Sequence, residues 1–130
     1  ILKKFISIIN DEINNDQNNK DLKEFANILK KNVKTLTNFA NWLEVKNKNK
    51  KDDVSSACND FLKVLGYISL GYAWFKMTKV SLEKTNENKN FYLEKINTAK
   101  YYFEKISPRI ESHYNSAISG SDSLMKAKFN

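Results

Sequence analysis

Apolar residues recur along this chain in steps of three and four, and four stretches keep that rhythm long enough to define helices. The first carries Leu2, Ile6, Ile9 and Ile13 and stops in the polar run 14–19, which reads as a loop. The second places Leu22, Ala26, Leu29, Val33, Leu36, Ala40 and Leu43 on one stripe, widened at its flanks by Phe25, Phe39 and Trp42. Asp21 followed by Glu24 resembles a capping box at its start, and the helix should end near Val45. The third, capped by Asp52 or Asp53, repeats the alternation at Val54, Cys58, Phe61, Leu65, Ile68, Tyr72 and Phe75. The fourth runs through Tyr92, Ile96, Ala99, Phe103, Ile106, Ile110, His113 and Ala117. Pro108 brings no N–H and crowds the carbonyl of Glu104, so a kink is expected there. Gly120 suits a C-cap, and Leu124, Met125 and Phe129 could dock the remaining tail. The predicted fold is all-α, an up-down-up-down four-helix bundle with long helices at about 1–14, 20–46, 53–85 and 89–119 and a short C-terminal tail.

The third helix departs from the others. A second apolar set, Leu62, Val64, Leu70, Trp74 and Met77, lies beside its main stripe. A four-helix bundle buries one stripe of each helix, so the surplus predicts contact with something outside the bundle. Leu62, Leu70, Trp74 and Met77 are the candidate interface residues. Gly66, Ser69 and Ala73 form a stripe of small residues that would let another helix approach closely, although such a stripe usually serves ordinary packing.

Composition narrows the picture further. With 130 residues, 3 Gly and 1 Pro, the chain is one domain with few breakers, which disfavours a fold of many short strands. Cys58 is the sole cysteine, which excludes a disulfide framework and fits a reducing cytoplasm; on an apolar stripe it reads as a small buried hydrophobe. The net charge of +7 admits a second reading, a stand-alone basic helical interaction module, with nucleic acid as one candidate ligand. Lysines interleave with Asp, Glu and Asn, however, and Lys46, Lys48, Lys50 and Lys51 fall between two helical patterns, where a solvated loop is expected. Neither nucleic acid nor membrane is therefore expected as a partner; the apolar stretch 61–75 is too short to span a bilayer. The sequence begins at Ile1, already inside an apolar-periodic stretch, as a piece of a larger chain would.

Candidates for chemistry fall away one by one. Gly66 and Gly71 lie within a helix and make no phosphate-binding loop. The lone His113 has no metal-binding partner at helical spacing, and proton transfer would need a partner from another element. Asp52 and Asp53 suit capping, while Glu83 and Glu87 sit beside Lys79 and Lys84 as solvated pairs. The aromatic groups Tyr67, Tyr72, Trp74, Phe75 and Phe91, Tyr92, Tyr101, Tyr102, Phe103 read as core packing with hydroxyls at the surface. No catalytic, cofactor-binding or metal-ligating residue emerges.

Residues 60–77 carry Phe61 and Leu62, then Gly66, an apolar run, Gly71 and Trp74. Residues 91–108 carry Lys95, Ala99, Phe103 and Pro108; Trp42-Leu43 precedes these stretches, and 120–125 follows them. In this order the segments resemble the extra C-terminal helical domain of bacterial FAD-dependent acyl-CoA dehydrogenases, in particular the 3-methylmercaptopropionyl-CoA dehydrogenase-like subgroup. One departure is Ser107, where an apolar residue usually precedes the proline. The resemblance implies a parent enzyme, a homo-oligomer of full chains, that binds FAD and oxidises the α–β bond of an acyl-CoA. A carboxylate takes the α-proton and the flavin takes the β-hydride. It also implies that the catalytic Glu and the flavin contacts lie upstream, so that this domain is non-catalytic, holds no cofactor itself and has the rest of the dehydrogenase chain as its partner.

Overall fold

The computed structural model describes residues 1–14, 19–49 and 51–119. They form α1 (Leu2–Asn14), α2 (Lys20–Asn49), α3 (Lys51–Lys84), α4 (Lys89–Tyr101), a π-helical turn (Tyr102–Ile106) and α5 (Arg109–Ile118), with no strand among them. The all-α prediction holds, and the fourth predicted helix is divided into α4, the π turn and α5.

Contacts across the bundle fix the helix directions. Lys46 pairs with Asp53, the rings of Phe39 and Phe61 are 5.1 Å apart, and Gly71 sits against Leu29, so α2 and α3 run antiparallel. Tyr102 meets Tyr67 and His113 meets Asp60, so α4–α5 runs antiparallel to α3. Lys79 Nζ reaches Glu12 Oε1 at 3.1 Å, and Phe5 lies beside Phe61 and Leu65, so α1 lies parallel to α3. The result is up-down-up-down, with α1 much shorter than its neighbours: about 20 Å against about 50 Å for α3 at 1.5 Å per residue.

The core is built where α2, α3 and α4–α5 meet. Phe25 stacks on Phe103 with centroids 4.7 Å apart, and Phe39 packs against Phe61 at 5.1 Å and Tyr114 at 5.4 Å. The α2 stripe is buried from Leu22 through Leu36, with Ala40 and Leu43 half-buried where the helix leaves the core. Gly71 faces this core: a Cβ there would touch Leu29, Phe103 and Tyr102 at 3.4–3.5 Å, an ordinary contact distance.

Several boundaries differ from expectation. The supposed loop around Lys46–Lys51 is helical up to Asn49 and again from Lys51, with residue 50 outside the described residues. Lys and Asn tolerate a helix, and neither Gly nor Pro interrupts the run. Asp52 and Asp53 do not cap α3 but lie in its first turn, where carboxylates suit the positive end of the helix dipole. Asp53 is buried and 3.8 Å from Lys46. The cap of α2 is Asn19, whose Oδ1 accepts from the backbone N–H of Asp21 (2.8 Å) and Leu22 (3.2 Å). Cys58 is exposed rather than buried. The inward stripe of α3 is Ala57, Val64, Ile68, Gly71, Phe75 and Thr78, one position round from the predicted stripe over much of its length. Gly120, Leu124, Met125 and Phe129 lie outside the described residues.

Pro108 does interrupt the last helix, and the structure shows how. With no N–H at Pro108, the chain widens into a π turn in which Ser107 N–H donates to Tyr102 O at 2.9 Å. The carbonyl of Phe103, deprived of a donor from position 108, accepts instead from the Ser107 hydroxyl at 2.8 Å. This explains Ser107: it is buried and its hydroxyl supplies the hydrogen bond that the proline cannot.

Candidate functional site: the outward face of the third helix

α3 is covered on one side by α2, α4 and α5 and leaves the opposite side open. Leu62 is 65% exposed, Leu70 52% and Met77 40%, while Trp74 is half-buried at the edge. Gly66, Ser69 and Ala73 are exposed between them, and nothing lies within 4 Å of a Cβ built on Gly66. Val80, 47% exposed, extends the same face, following Leu62, Gly66, Ser69, Ala73 and Met77 in steps of three and four that the sequence itself displays. At 3.6 residues per turn these residues share an arc of roughly 100° over about 27 Å.

The chemistry of the face is uniform. Lys63 and Lys76 border the arc, and no charged residue lies within it. The Ser69 hydroxyl donates to Leu65 O at 2.9 Å, so it needs no outside partner. Covering such a surface desolvates almost no polar group, and an uncharged apolar strip edged by charge is the usual mark of an interaction surface. An apolar groove of about 480 Å³, lined by Ile1, Leu2, Phe5, Phe61, Leu65 and Ser69, joins the face at Ser69 and widens the apolar surface toward α1.

Among the described residues, the titratable candidates serve contacts between helices. His113 does gain a partner from another element: its Nδ1 lies 2.8 Å from Asp60 Oδ1, and its ring stacks on Tyr67 at 5.9 Å. The pair ties α5 to α3, with no serine or cysteine hydroxyl or thiol bonded to the imidazole among the described residues. Tyr102, buried and donating to the Tyr67 carbonyl, has its phenol pushed up from 10.0 to about 12 by burial and, secondarily, by the neighbouring Tyr67. Among the described residues no group of His, Cys, Asp or Glu could hold a metal ion, and no helix is long and apolar enough to cross a membrane. Of the lysines at the α2–α3 junction, Lys46 reaches Asp53 and lies 6.0 Å from the Trp42 ring, Lys48 and Lys51 are exposed, and Lys50 lies outside the described residues. Sequence reasoning missed the Asp60 partner of His113, because helical periodicity carries no information about which helices become neighbours.

An all-α bundle with one uncharged face left open defines the class of domain. The chain belongs to the family of acetyl-CoA dehydrogenase C-terminal-like domains, whose model matches residues 3–128. No curated protein and no solved structure matches it. The family context suggests FAD in the parent enzymes. The described residues do not fit a flavin dinucleotide. The roughly 480 Å³ groove is lined by apolar side chains and Ser69, with no cation or glycine-rich turn for a pyrophosphate.

Proposed function

We infer that this chain is the non-catalytic C-terminal helical domain of a larger FAD-dependent acyl-CoA dehydrogenase, and that it packs on the catalytic body or at the oligomer interface through the outward face of α3. One observation carries the reading: Leu62, Leu70, Met77 and Val80 stay exposed on an uncharged strip although the bundle has completed its own core. The family's C-terminal character supports the preceding part of the same polypeptide as the partner. In this reading proton abstraction and hydride transfer belong to residues upstream, and this domain positions or braces them.

Two measurements test it. The 130-residue chain alone should retain neither flavin nor acyl-CoA; stoichiometric flavin carried through purification would refute the assignment. In the longer protein, Leu62→Glu with Leu70→Glu should loosen the assembly and lower flavin retention, while the same pair leaves the isolated chain folded. An unchanged assembly and flavin content would remove the face from the interface.

A further inference from the structure

Asn32 is a buried polar side chain for which the helices supply no partner. It is 7% exposed on the inner edge of α2, and its carboxamide has no hydrogen bond among the described residues. The neighbouring buried polar groups are satisfied: Thr35 donates to Glu111 Oε1 at 2.7 Å, Thr78 to Trp74 O at 2.8 Å and Ser107 to Phe103 O at 2.8 Å. Among the described residues no fully enclosed side-chain nitrogen or oxygen is left unpaired, so the Asn32 carboxamide keeps an outlet to solvent. That outlet is a pocket of about 260 Å³, which Asn32 lines together with Ile28, Lys31, Phe103, Ser107, Pro108 and Glu111.

The pocket sits where the last helix is widened. The π turn and Pro108 displace the backbone from regular helical packing, and π turns within helices recur at functional sites. Its walls combine apolar surface from Ile28, Phe103 and Pro108 with three kinds of polar group. The Asn32 carboxamide offers donors and an acceptor, Lys31 a cation and Glu111 an anion. Thr35 pins Glu111 by one oxygen, Oε1.

We propose that this pocket is a binding site for a neutral amide, the carboxamide or backbone amide of a small molecule or of a partner chain. The charges of Lys31 and Glu111 cancel, so an anion meets the carboxylate and a cation meets the ammonium, while a neutral amide can use both. Its carbonyl oxygen accepts from Asn32 or Lys31, and its N–H donates to Asn32 or Glu111. The volume falls below the range of about 300–1,000 Å³ typical of drug-sized sites and suits a group the size of one side chain. This site is independent of the α3 face and stands or falls apart from the docking reading.

The test is an NMR titration of the ¹⁵N-labelled 130-residue chain with propionamide, with propionate and propylammonium as charged isosteres. The expected result is a saturable shift of the Asn32 side-chain amide and the Ser107 backbone amide with propionamide, and a weaker response to both ions. A capped glutamine peptide distinguishes the sources. Binding about tenfold tighter than propionamide, the margin of one further hydrogen bond, indicates a partner chain, and equal or weaker binding indicates a free small amide. Asn32→Leu should abolish the Ser107 shift while raising the thermal midpoint. Should that variant fail to fold, Glu111→Gln reads the same logic through charge: it should turn the preference toward propionate. No saturable shift with propionamide, or equal shifts with all three ligands, would overturn the proposal.

Discussion

α2 and α3 are close in length, 30 and 34 residues, and lie side by side, but only α2 separates a dry face from a wet one. Its outer surface carries Lys23, Glu24, Asn27, Lys30, Lys34, Asn38, Asn41 and Glu44, all exposed. The outer surface of α3 carries Leu62, Gly66, Leu70, Ala73, Met77 and Val80. For α2 the hydrophobic effect alone decides which side turns inward. For α3 both sides are apolar, so its rotation is set by fit: Gly71 admits Leu29, Tyr102 and Phe103, and Ala57 and Val64 leave room for the neighbouring helices. A helix oriented by shape rather than polarity is free to present an apolar strip to a second partner.

The sharpest way to break this comparison is to cut an inward and an outward side chain alike. Phe39 is fully buried between Phe61, Trp42 and Tyr114, and Phe39→Ala should destabilise the isolated chain by about 3–5 kcal/mol. Leu70→Ala on the open face should change it by no more than about 0.5 kcal/mol. Denaturant melts of the two variants decide: comparable losses would mean that the outward face is already engaged within the chain.

The same contrast explains what the sequence could and could not reveal. On α2, Leu22, Ala26, Leu29, Val33 and Leu36 were placed correctly because polar residues interrupt every other direction. On the last helix, Ile96, Ala99, Phe103, Ile110 and Ala117 were equally legible. On α3 the predicted stripe put Cys58 inside, whereas Ala57 is the buried neighbour; two overlapping apolar sets fit the period and only packing chooses between them. The surplus itself was legible, and Leu62, Leu70 and Met77 are exposed as an unspent apolar set should be. The Asn32 pocket was not, because it requires the π turn, and the sequence announces only a proline, not the hydrogen-bond pattern around it.

The second prediction concerns the inner side of α3, where Tyr102 ties the π turn to the Tyr67 carbonyl. Below pH 10 both folded and unfolded chains hold the phenolic proton, and the contribution is complete. From pH 10 to about 12 the unfolded chain releases it while the folded chain keeps it, so stability falls as pH rises. Measured against Tyr102→Phe, which cannot titrate there, the wild-type advantage should shrink across this window. Parallel stability profiles from pH 9 to 12 would show that the burial of this hydroxyl carries no such linkage.

Ser107 gives the next smaller effect. Its hydroxyl stands in for the N–H that Pro108 lacks, and Ser107→Ala leaves the Phe103 carbonyl without that donor in a buried setting. The expected loss is about 1–3 kcal/mol. Ser107→Ala combined with Pro108→Ala should recover part of it, since a backbone N–H at position 108 can again donate. A double variant no more stable than Ser107→Ala would mean that the π turn is held by packing around Phe103 rather than by this bond.

The smallest effect separates the two sides of α3 most directly, through its glycines. A methyl at Gly71 meets Leu29, Phe103 and Tyr102 at ordinary contact distance, and a methyl at Gly66 meets nothing within 4 Å. Both lie within a helix, so Gly66→Ala and Gly71→Ala should each stabilise the isolated chain by up to about 1 kcal/mol through helix propensity. Their effects should part in the longer protein. Gly71 faces only its own bundle, whereas Gly66 lies midway along the open strip between Leu62 and Leu70. If another helix packs there by close backbone approach, Gly66→Ala stabilises the domain yet weakens the assembly, and Gly71→Ala leaves the assembly untouched. If both variants leave it untouched while Leu62→Glu with Leu70→Glu disrupts it, the strip engages its partner through its large side chains and the small-residue stripe has no part in the contact.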